Sequence, residues 1–359
     1  MGLDEWRARI DEIDRQLLRL LNQRAQLSLE IGRAKRESGE SVLVPEREQE
    51  ILDELARLNP GPLPPGAIRA IWSEVLSASR GLQRPFRAAY LGPQGTNTHL
   101  AALRHFGSSA ELLSARGIPE VFDEVERGRA DVGVVPIENS SEGVVNHTLD
   151  GLIDSELLIC GEVSLEIHHH LLSRATDLGD IKRVFSHPQA LAQCRGWLNR
   201  HLPDAEVVEM ASTSAAAEQA ALDAATAAVA SELAGRLHGI TLLRERIEDH
   251  ANNVTRFLVI GRRAAGRTGR DKTSVLFSIR DEVGTLYRIL EPFATARLSL
   301  TKIESRPTRR RPWEYVFFVD FEGHRDDPVT QGVLAAVRER CLFLKVLGSY
   351  PAALEVARS

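Results

Sequence analysis

A long apolar seam interrupted by one cation is the first feature of this sequence that calls for chemistry. Trp6, Ile10, Ile13, Leu17, Leu20, Leu27, Ile31 and Ala34 follow steps of three and four, with Arg24 standing where an apolar residue belongs. A buried, unpaired guanidinium costs several kcal/mol, so something anionic should meet it: a salt bridge within or between chains, or an anionic ligand. Lys35 comes about three turns later, within about 20° of the same face. Arg7 lies roughly 100° off that face, so within one straight helix it cannot serve the pocket of Arg24, although it can serve that of a partner subunit. Further on, Ile68, Trp72 and Val75 mark the apolar face of another helix, which continues into Ser79 and Gln83, four apart and therefore stacked. These two are either exposed helix-end residues or, with Arg24, the walls of a polar cavity in a helical bundle.

A second cluster lies in VVPIENSSEGVVNHTLDGL, Val134 to Leu152. An apolar strand runs into Glu138, Asn139, Ser140, Ser141 and Glu142, and a helix is expected directly after. Such a strand end places side-chain and backbone donors at the mouth of an open α/β sheet, where helix N-termini favour anions. The plain alternative is a serine helix cap with Glu142 in the first turn. In NNVTRF, Thr255 and Arg256 sit where a loop enters the strand Phe257 to Gly261. Arg256 either holds a carboxylate or pairs with a local acid. The loop GPQGTNT offers Thr96 and backbone N–H groups as further anion contacts. Of His168, His169 and His170, a strand would put only His168 and His170 on one face, and metal binding is not expected. His187 is read as structural.

The elements that must position these residues fall into three regions. Residues 1 to about 84 read as helix, with Pro60–Gly66 (PGPLPPG) as a rigid turn. Residues from about 87 to 262 alternate short β-rich and helical runs. Residues from about 273 to 350 read strand-helix-strand-strand-helix-strand. Arg84-Pro85-Phe86 and Gly261–Lys272 are the expected linkers. Hydrophobic content of 43% with 26% charge is that of an ordinary folded protein, and a net charge of −5 favours neither nucleic acid nor an anionic membrane as partner. No apolar run is long enough to span a bilayer, the N-terminus lacks the pattern of a signal peptide, and the three scattered cysteines fit a reducing cytoplasm. The long seam with few partners in its own region predicts a homodimer.

Three motif sets in one order carry a resemblance. IDEIDRQLLRLLNQRAQLSLEIGRAK followed by PEREQEIL resembles the all-helical bacterial chorismate mutases. LGPQGT, VVPIENSSEGVVNHTLD, SHPQALAQC and NVTRFLVIG resemble prephenate dehydratase. LSLTKIESRP and EYVFFVDFEGH resemble the ACT domain. The order is that of the fused mutase–dehydratase family. The fold it implies has an all-α mutase domain over 1–84 forming an intertwined dimer, a two-lobed α/β domain of the periplasmic-binding-protein kind over 87–262, and a ferredoxin-like α+β ACT domain over 273–350.

The implied chemistry is a Claisen rearrangement of chorismate to prephenate, then loss of CO2 and water from prephenate to give phenylpyruvate. No cofactor is implied. By resemblance, Arg7 of the partner and Arg24 would grip the two carboxylates, Lys35 and Gln83 would donate toward the ether oxygen, Glu48 would bind the substrate hydroxyl, and Arg47 and Ser79 would complete the pocket. Val44 stands where the family often has an acid. In the second region the resemblance implies Thr255 as the residue most tied to catalysis, with Thr96, Glu138, Asn139, Ser140, Asn253 and Arg256 binding substrate; Asn97 replaces a usual aromatic residue. In the third it implies an L-phenylalanine site at Gly284, Thr285, Leu286, Ser299, Glu304, Ser305, Arg306 and Pro307. The competing readings are a dehydratase whose helices only dimerise and a non-catalytic amino-acid sensor. A fusion with a dehydrogenase would need a GxGxxG after a strand, and the sequence has none there.

Overall fold

The computed structural model describes residues 2–280, 282–307 and 315–353. The chain forms two compact units, one of residues up to 87 together with 103–111, the other of the remaining described residues.

The first unit is built on three helices, α1 (Leu3–Ser38), α2 (Pro45–Leu58) and α3 (Pro65–Gln83). The Glu5 carboxylate accepts from the Gly2 N–H at 2.8 Å at the start of α1, and Gly39 ends it in the left-handed region with φ of 70°. Proline in the first turn of α2 and of α3 costs no helical hydrogen bond. Gly32 lets α1 and α3 approach closely, since a Cβ there would lie 2.9 Å from the Gln83 side chain. The seam of α1 is left open: Trp6, Ile10, Ile13, Leu17, Leu20, Leu27 and Ile31 are each about half exposed or more.

From Arg87 on, the chain builds two α/β lobes and a third sheet, all in the second unit save Arg87 and residues 103–111. The first lobe comprises β1 (Arg87–Leu91), α4 (Asn97–Phe106), β2 (Glu111–Ala115), α5 (Ile118–Glu126), β3 (Val132–Asn139), β4 (Gly143–Val144), α6 (Asn146–Asp154) and β5 (Leu158–Glu166). The second comprises β6 (His170–Ser173), β7 (Arg183–Ser186), α7 (Pro188–Gln193), α8 (Arg195–His201), β8 (Glu206–Glu209), α9 (Thr213–Ala220), β9 (Thr226–Ala230), α10 (Glu232–His238) and β10 (Thr241–Arg244). The chain then returns to the first lobe as β11 (Val254–Gly261), completing a sheet of order β2-β1-β3-β11-β5 with β4 hairpinned onto β3. The second sheet runs β10-β6-β9-β7-β8. Its alanine-rich segments have a packing reason: Ala216, Ala217 and Ala220 of α9 and Ala227, Ala228 and Ala230 of β9 are fully buried, and small side chains let helix and sheet come close.

The third sheet is the expected βαββαβ unit: β12 (Asp271–Ser278), α11 (Thr285–Thr295), β13 (Leu300–Pro307), β14 (Tyr315–Glu322), α12 (Pro328–Arg340) and β15 (Phe343–Pro351), ordered β13-β14-β12-β15. Strand alternation divides its cores. Val275 and Phe277 face α11 and α12 with Ile289, Phe293 and Val337, whereas Leu276, Phe318, Leu347 and Tyr350 join the first lobe's core beside Ile159, Leu258 and Ile260.

One local expectation is corrected. No helix follows Asn139 directly. Asn139 Oδ1 accepts from the N–H groups of Ser141 and Glu142 at 2.9 and 3.1 Å, Gly143 takes φ of 82°, and the chain doubles back as β4 before α6 begins at Asn146. An asparagine turn followed by a left-handed glycine makes a hairpin instead.

Candidate active sites

Between the three helices lies a cavity of about 640 Å³, lined among others by the polar Arg24, Lys35, Arg47, Glu48, Ser79, Arg80 and Gln83, with the apolar Leu27, Ile31, Val42, Val44, Ile51, Trp72 and Leu76 between them. Arg24 donates to Ser79 Oγ and lies over the Trp72 ring, 5.6 Å from its centroid, with no ion-pair partner among the described residues. Burial pulls its pKa below the usual guanidinium value, against the opposing pull of Glu48. Burial likewise lowers Lys35, against Glu40, Glu48 and Glu46. Gln83 Oε1 is buried with no hydrogen-bond partner among the described residues. Among the described residues Arg24 therefore lacks an ion pair, which an anionic ligand would complete, whereas the Gln83 oxygen is an acceptor that calls for a donor.

The second site is a cleft of about 370 Å³ between the two α/β lobes. Thr255 and Asn139 are direct partners across β11 and β3, and Asn139 Nδ2 donates to Thr255 Oγ1 and to Asn253 Oδ1, both at 2.7 Å. Asn253 Nδ2 donates to Gln193 Oε1 at 2.7 Å, and His169 Nε2 lies 2.7 Å from the same oxygen. Because Thr255 Oγ1 already accepts from Asn139, its proton is available to the cleft. Burial lowers the pKa of His169, which favours its neutral ring. Among the described residues no arginine or lysine lines it; Asn97 and Thr98 at the start of α4, and Ser212 and Thr213 at the start of α9, line it instead. Neutral donors and positive helix ends can hold a carboxylate here without locking a second carboxylate in place.

Family models match the chain as chorismate mutase type II over residues 6–84, prephenate dehydratase over 88–265 and ACT domain over 273–339. The bifunctional chorismate mutase/prephenate dehydratase of Aquifex aeolicus is 47% identical over 98% of both chains, and that of Pseudomonas aeruginosa 44% over 97% of both. The chain belongs to the bifunctional chorismate mutase/prephenate dehydratase family. It carries both enzyme activities and an ACT domain. The prephenate dehydratase of Arthrobacter aurescens, a structure in complex with L-Phe, superposes with a TM-score of 0.69 at 37% identity, covering 74% of this chain and 90% of that one.

On the mutase side, Arg24, Lys35, Arg47, Glu48, Ser79 and Gln83 all line the helical cavity. Arg7 does not; it is exposed and pairs with Asp4 at 3.4 Å. Glu48 also meets a residue that the sequence reading missed: Arg80, 5% exposed at its side chain, holds both Glu48 oxygens at 2.5 Å. A signal for it existed. Ile68, Trp72, Leu76 and Arg80 are each four apart, so Arg80 is a cation on an apolar ladder, the same anomaly as Arg24.

On the dehydratase side, Thr96, Asn97, Asn139, Asn253 and Thr255 line the cleft, together with His187, whose Nδ1 accepts from the Gln189 N–H at the start of α7. Three expected substrate ligands do not line it. Ser140 Oγ is spent on the backbone, donating to Asn252 O and accepting from Val254 N. Glu138 and Arg256 neighbour Asn139 and Thr255 along their strands and so face the opposite side, where Arg256 pairs with Glu162 and Asp320, and Glu138 with Lys302. For Arg256 the local-acid alternative is the one found. Gln193 and His169 were missed as cleft residues. His168 is occupied by acids, Glu248 at 2.8 Å and Glu166 at 3.4 Å.

In the ACT domain, Gly284 caps α11 with φ of 80°, Thr285 is buried beneath Arg288, and Leu286 packs on the domain core. Ser299 precedes β13, on which Glu304, Ser305, Arg306 and Pro307 lie. Arg306 reaches Asn146 on the first lobe and, at 3.0 Å, Asp150.

Proposed function

We propose that the mutase reaction runs in the helical cavity of the part spanning 1–84, and the dehydratase reaction in the cleft of the part spanning 87–262. The rearrangement needs no nucleophile. Arg24 would hold a substrate carboxylate, Arg7 from a second copy would hold the other, and Lys35 and Gln83 would donate to the ether oxygen as its bond breaks. Orientation and fixed charge supply the catalysis. Glu48, tied to Arg80, would accept from the substrate hydroxyl, with Arg47 and Ser79 closing the pocket. The observation that carries this reading is Arg24, a cation in the cavity with no ion-pair partner among the described residues.

In the cleft, prephenate would break the bond between ring carbon and carboxylate, sending its electron pair into the ring. The ring C–O bond breaks at the other end, and the departing hydroxide takes a proton to leave as water. Thr255, oriented by Asn139, would donate to that oxygen. Thr96, Asn253 and the starts of α4 and α9 would hold the pyruvyl carboxylate.

The half-exposed seam of α1 supports an intertwined homodimer, which also brings Arg7 to the partner's cavity. The ACT domain, at 273–350, would take L-phenylalanine at the loop Gly284–Leu286 and at Ser299 with Glu304, Ser305 and Pro307, across the dimer. The free thiols Cys160, Cys194 and Cys341 fit a cytoplasmic location. The test is a crystal soaked with a rigid dicarboxylate mimic of the bicyclic mutase transition state. Density bridging Arg24, Lys35 and Gln83 is expected; an empty cavity, or Arg24 turned onto a neighbouring carboxylate, would overturn the reading. A phenylalanine titration with activity followed alongside tests the effector.

A further inference from the structure

Behind the dehydratase cleft lies a cluster of three cations and three anions, buried at Glu162, Arg256 and Asp320 and partly exposed at Glu138, Lys272 and Lys302. Arg256 donates from Nε to Glu162 at 2.7 Å, from Nη1 to Asp320 at 2.6 Å and from Nη2 to Tyr350 Oη at 2.9 Å, with Glu138 3.5 Å away. Lys272 pairs with Glu162 at 2.8 Å, and Lys302 pairs with Glu138. Ser274 joins Asp320 and Tyr350 at 2.6 and 2.7 Å. Glu138, Glu162 and Arg256 come from the first lobe's strands β3, β5 and β11. Lys272, Lys302 and Asp320 come from β12, β13 and β14 of the ACT sheet.

The ladder between β3 and β11 relates this cluster to the cleft. Thr255 pairs with Asn139 on one rung and Arg256 with Glu138 on the next. Successive strand residues point to opposite faces, so one rung faces substrate while its neighbour is gripped by the ACT sheet. The grip recurs nearby: Arg306 of β13 holds Asn146 and Asp150 on α6, directly after the cleft-lining Gly143, Val144 and Val145. Lys302 and Arg306 belong to the strand that also carries Glu304, Ser305 and Pro307, the expected effector residues.

We propose that Arg256 is a positioning residue for the dehydratase site, and that the ACT sheet, through Asp320 and Lys302, holds the Thr255–Asn139 rung from behind, so that effector binding along β13 reaches the cleft through these pairs. Arg256 touches no substrate. A shift of β13 or β14 moves the charges that meet Arg256 and Glu138, and these side chains are rooted in the same two backbones as Thr255 and Asn139. The regulatory half rests on the reading that the ACT domain binds phenylalanine; the positioning half does not.

The experiment uses the full chain and supplied prephenate. Arg256→Lys keeps the charge and loses the fork of donors, and should lower kcat by about 10- to 100-fold with KM within about twofold, as a misplaced catalytic group does. A KM raised tenfold at unchanged kcat would make Arg256 a substrate ligand and overturn the proposal. Asp320→Asn, which conserves shape, and Lys302→Met remove the grip on the rung, so each should lower uninhibited kcat in the same direction as Arg256→Lys and bind phenylalanine calorimetrically like the parent, yet lose most of the inhibition measured against its own uninhibited rate. Inhibition unchanged in both variants would overturn the proposed route. If the parent binds no phenylalanine, the effector reading fails by itself, and the split between kcat and KM at Arg256 still decides the positioning claim.

Discussion

Asn139 Nδ2 donates to Thr255 Oγ1 at 2.7 Å across two strands on which these residues are direct register partners. The threonine oxygen is thereby an acceptor toward Asn139, which leaves its proton free to point into the cleft. Thr255→Val, which keeps the shape, should reduce dehydratase kcat by about 10²- to 10⁴-fold, the usual size of a lost proton-donating group, while Thr255→Ser retains much of it. Mutase turnover should not change. Steady-state assays of the two reactions on the same preparations check this; a Thr255→Val enzyme within threefold of the parent would remove Thr255 from the chemistry.

Arg24→Lys keeps the charge but not the planar fork that meets Ser79 and lies over Trp72. Mutase kcat/KM should fall by about 10²-fold or more, with dehydratase activity on supplied prephenate unaltered.

In the proposed role Lys35 acts as an ammonium group that stabilises charge on the ether oxygen, and burial lowers its pKa from the ordinary lysine value. Its protonated form is therefore lost earlier than usual as pH rises, and mutase kcat/KM should decline below pH of about 10.4, where an unperturbed lysine is still largely charged. Lys35→Arg should remove that limb from the pH profile of whatever activity remains. An identical limb in the variant would assign it to another group.

Arg80 and Glu48 form a pair whose cation is almost wholly buried. Arg80→Met leaves the glutamate without its partner and should destabilise the helical unit by about 3–5 kcal/mol, read as a lower urea midpoint for that unit. Glu48→Gln strands the arginine and should act in the same direction.

Glu162 has a fully buried side chain. Burial would raise its pKa, but Arg256 and Lys272 outweigh that and leave it below the usual carboxylate value. A carboxylate with a depressed folded pKa adds stability above its unfolded value, about 4.3, and loses it as pH falls through the folded one. Acid unfolding of the dehydratase–ACT unit, followed by circular dichroism, should therefore begin below pH of about 4, and Lys272→Met should move it upward.

The elements and the three-region order were legible because periodicity and punctuation are local. Arg24 was found as a cation on an apolar ladder, and Arg80 was missed only because its ladder through Ile68, Trp72 and Leu76 was not followed to its end. Glu138 and Arg256 were grouped with Asn139 and Thr255 by adjacency, although strand alternation already says that neighbours cannot face one cleft together. Gln193 and His169 carried no local signal, since what brings them to Asn253 is the crossing of the chain between two lobes. The hairpin at Ser140–Gly143 was mistaken for a helix start because serine caps helices and also follows asparagine turns, and only the φ of Gly143 separates the two.

The two-site account is tested most directly by mixing Arg24→Ala and Thr255→Ala enzymes, each prepared separately, and giving the mixture chorismate. Alone, the first should leave chorismate unconsumed, and the second should accumulate prephenate. Together they should produce phenylpyruvate, seen by its absorbance in alkali, because prephenate released by one is dehydrated by the other. Phenylpyruvate formed from chorismate by the Arg24→Ala enzyme alone at the parent rate, or none formed by the mixture, would contradict it.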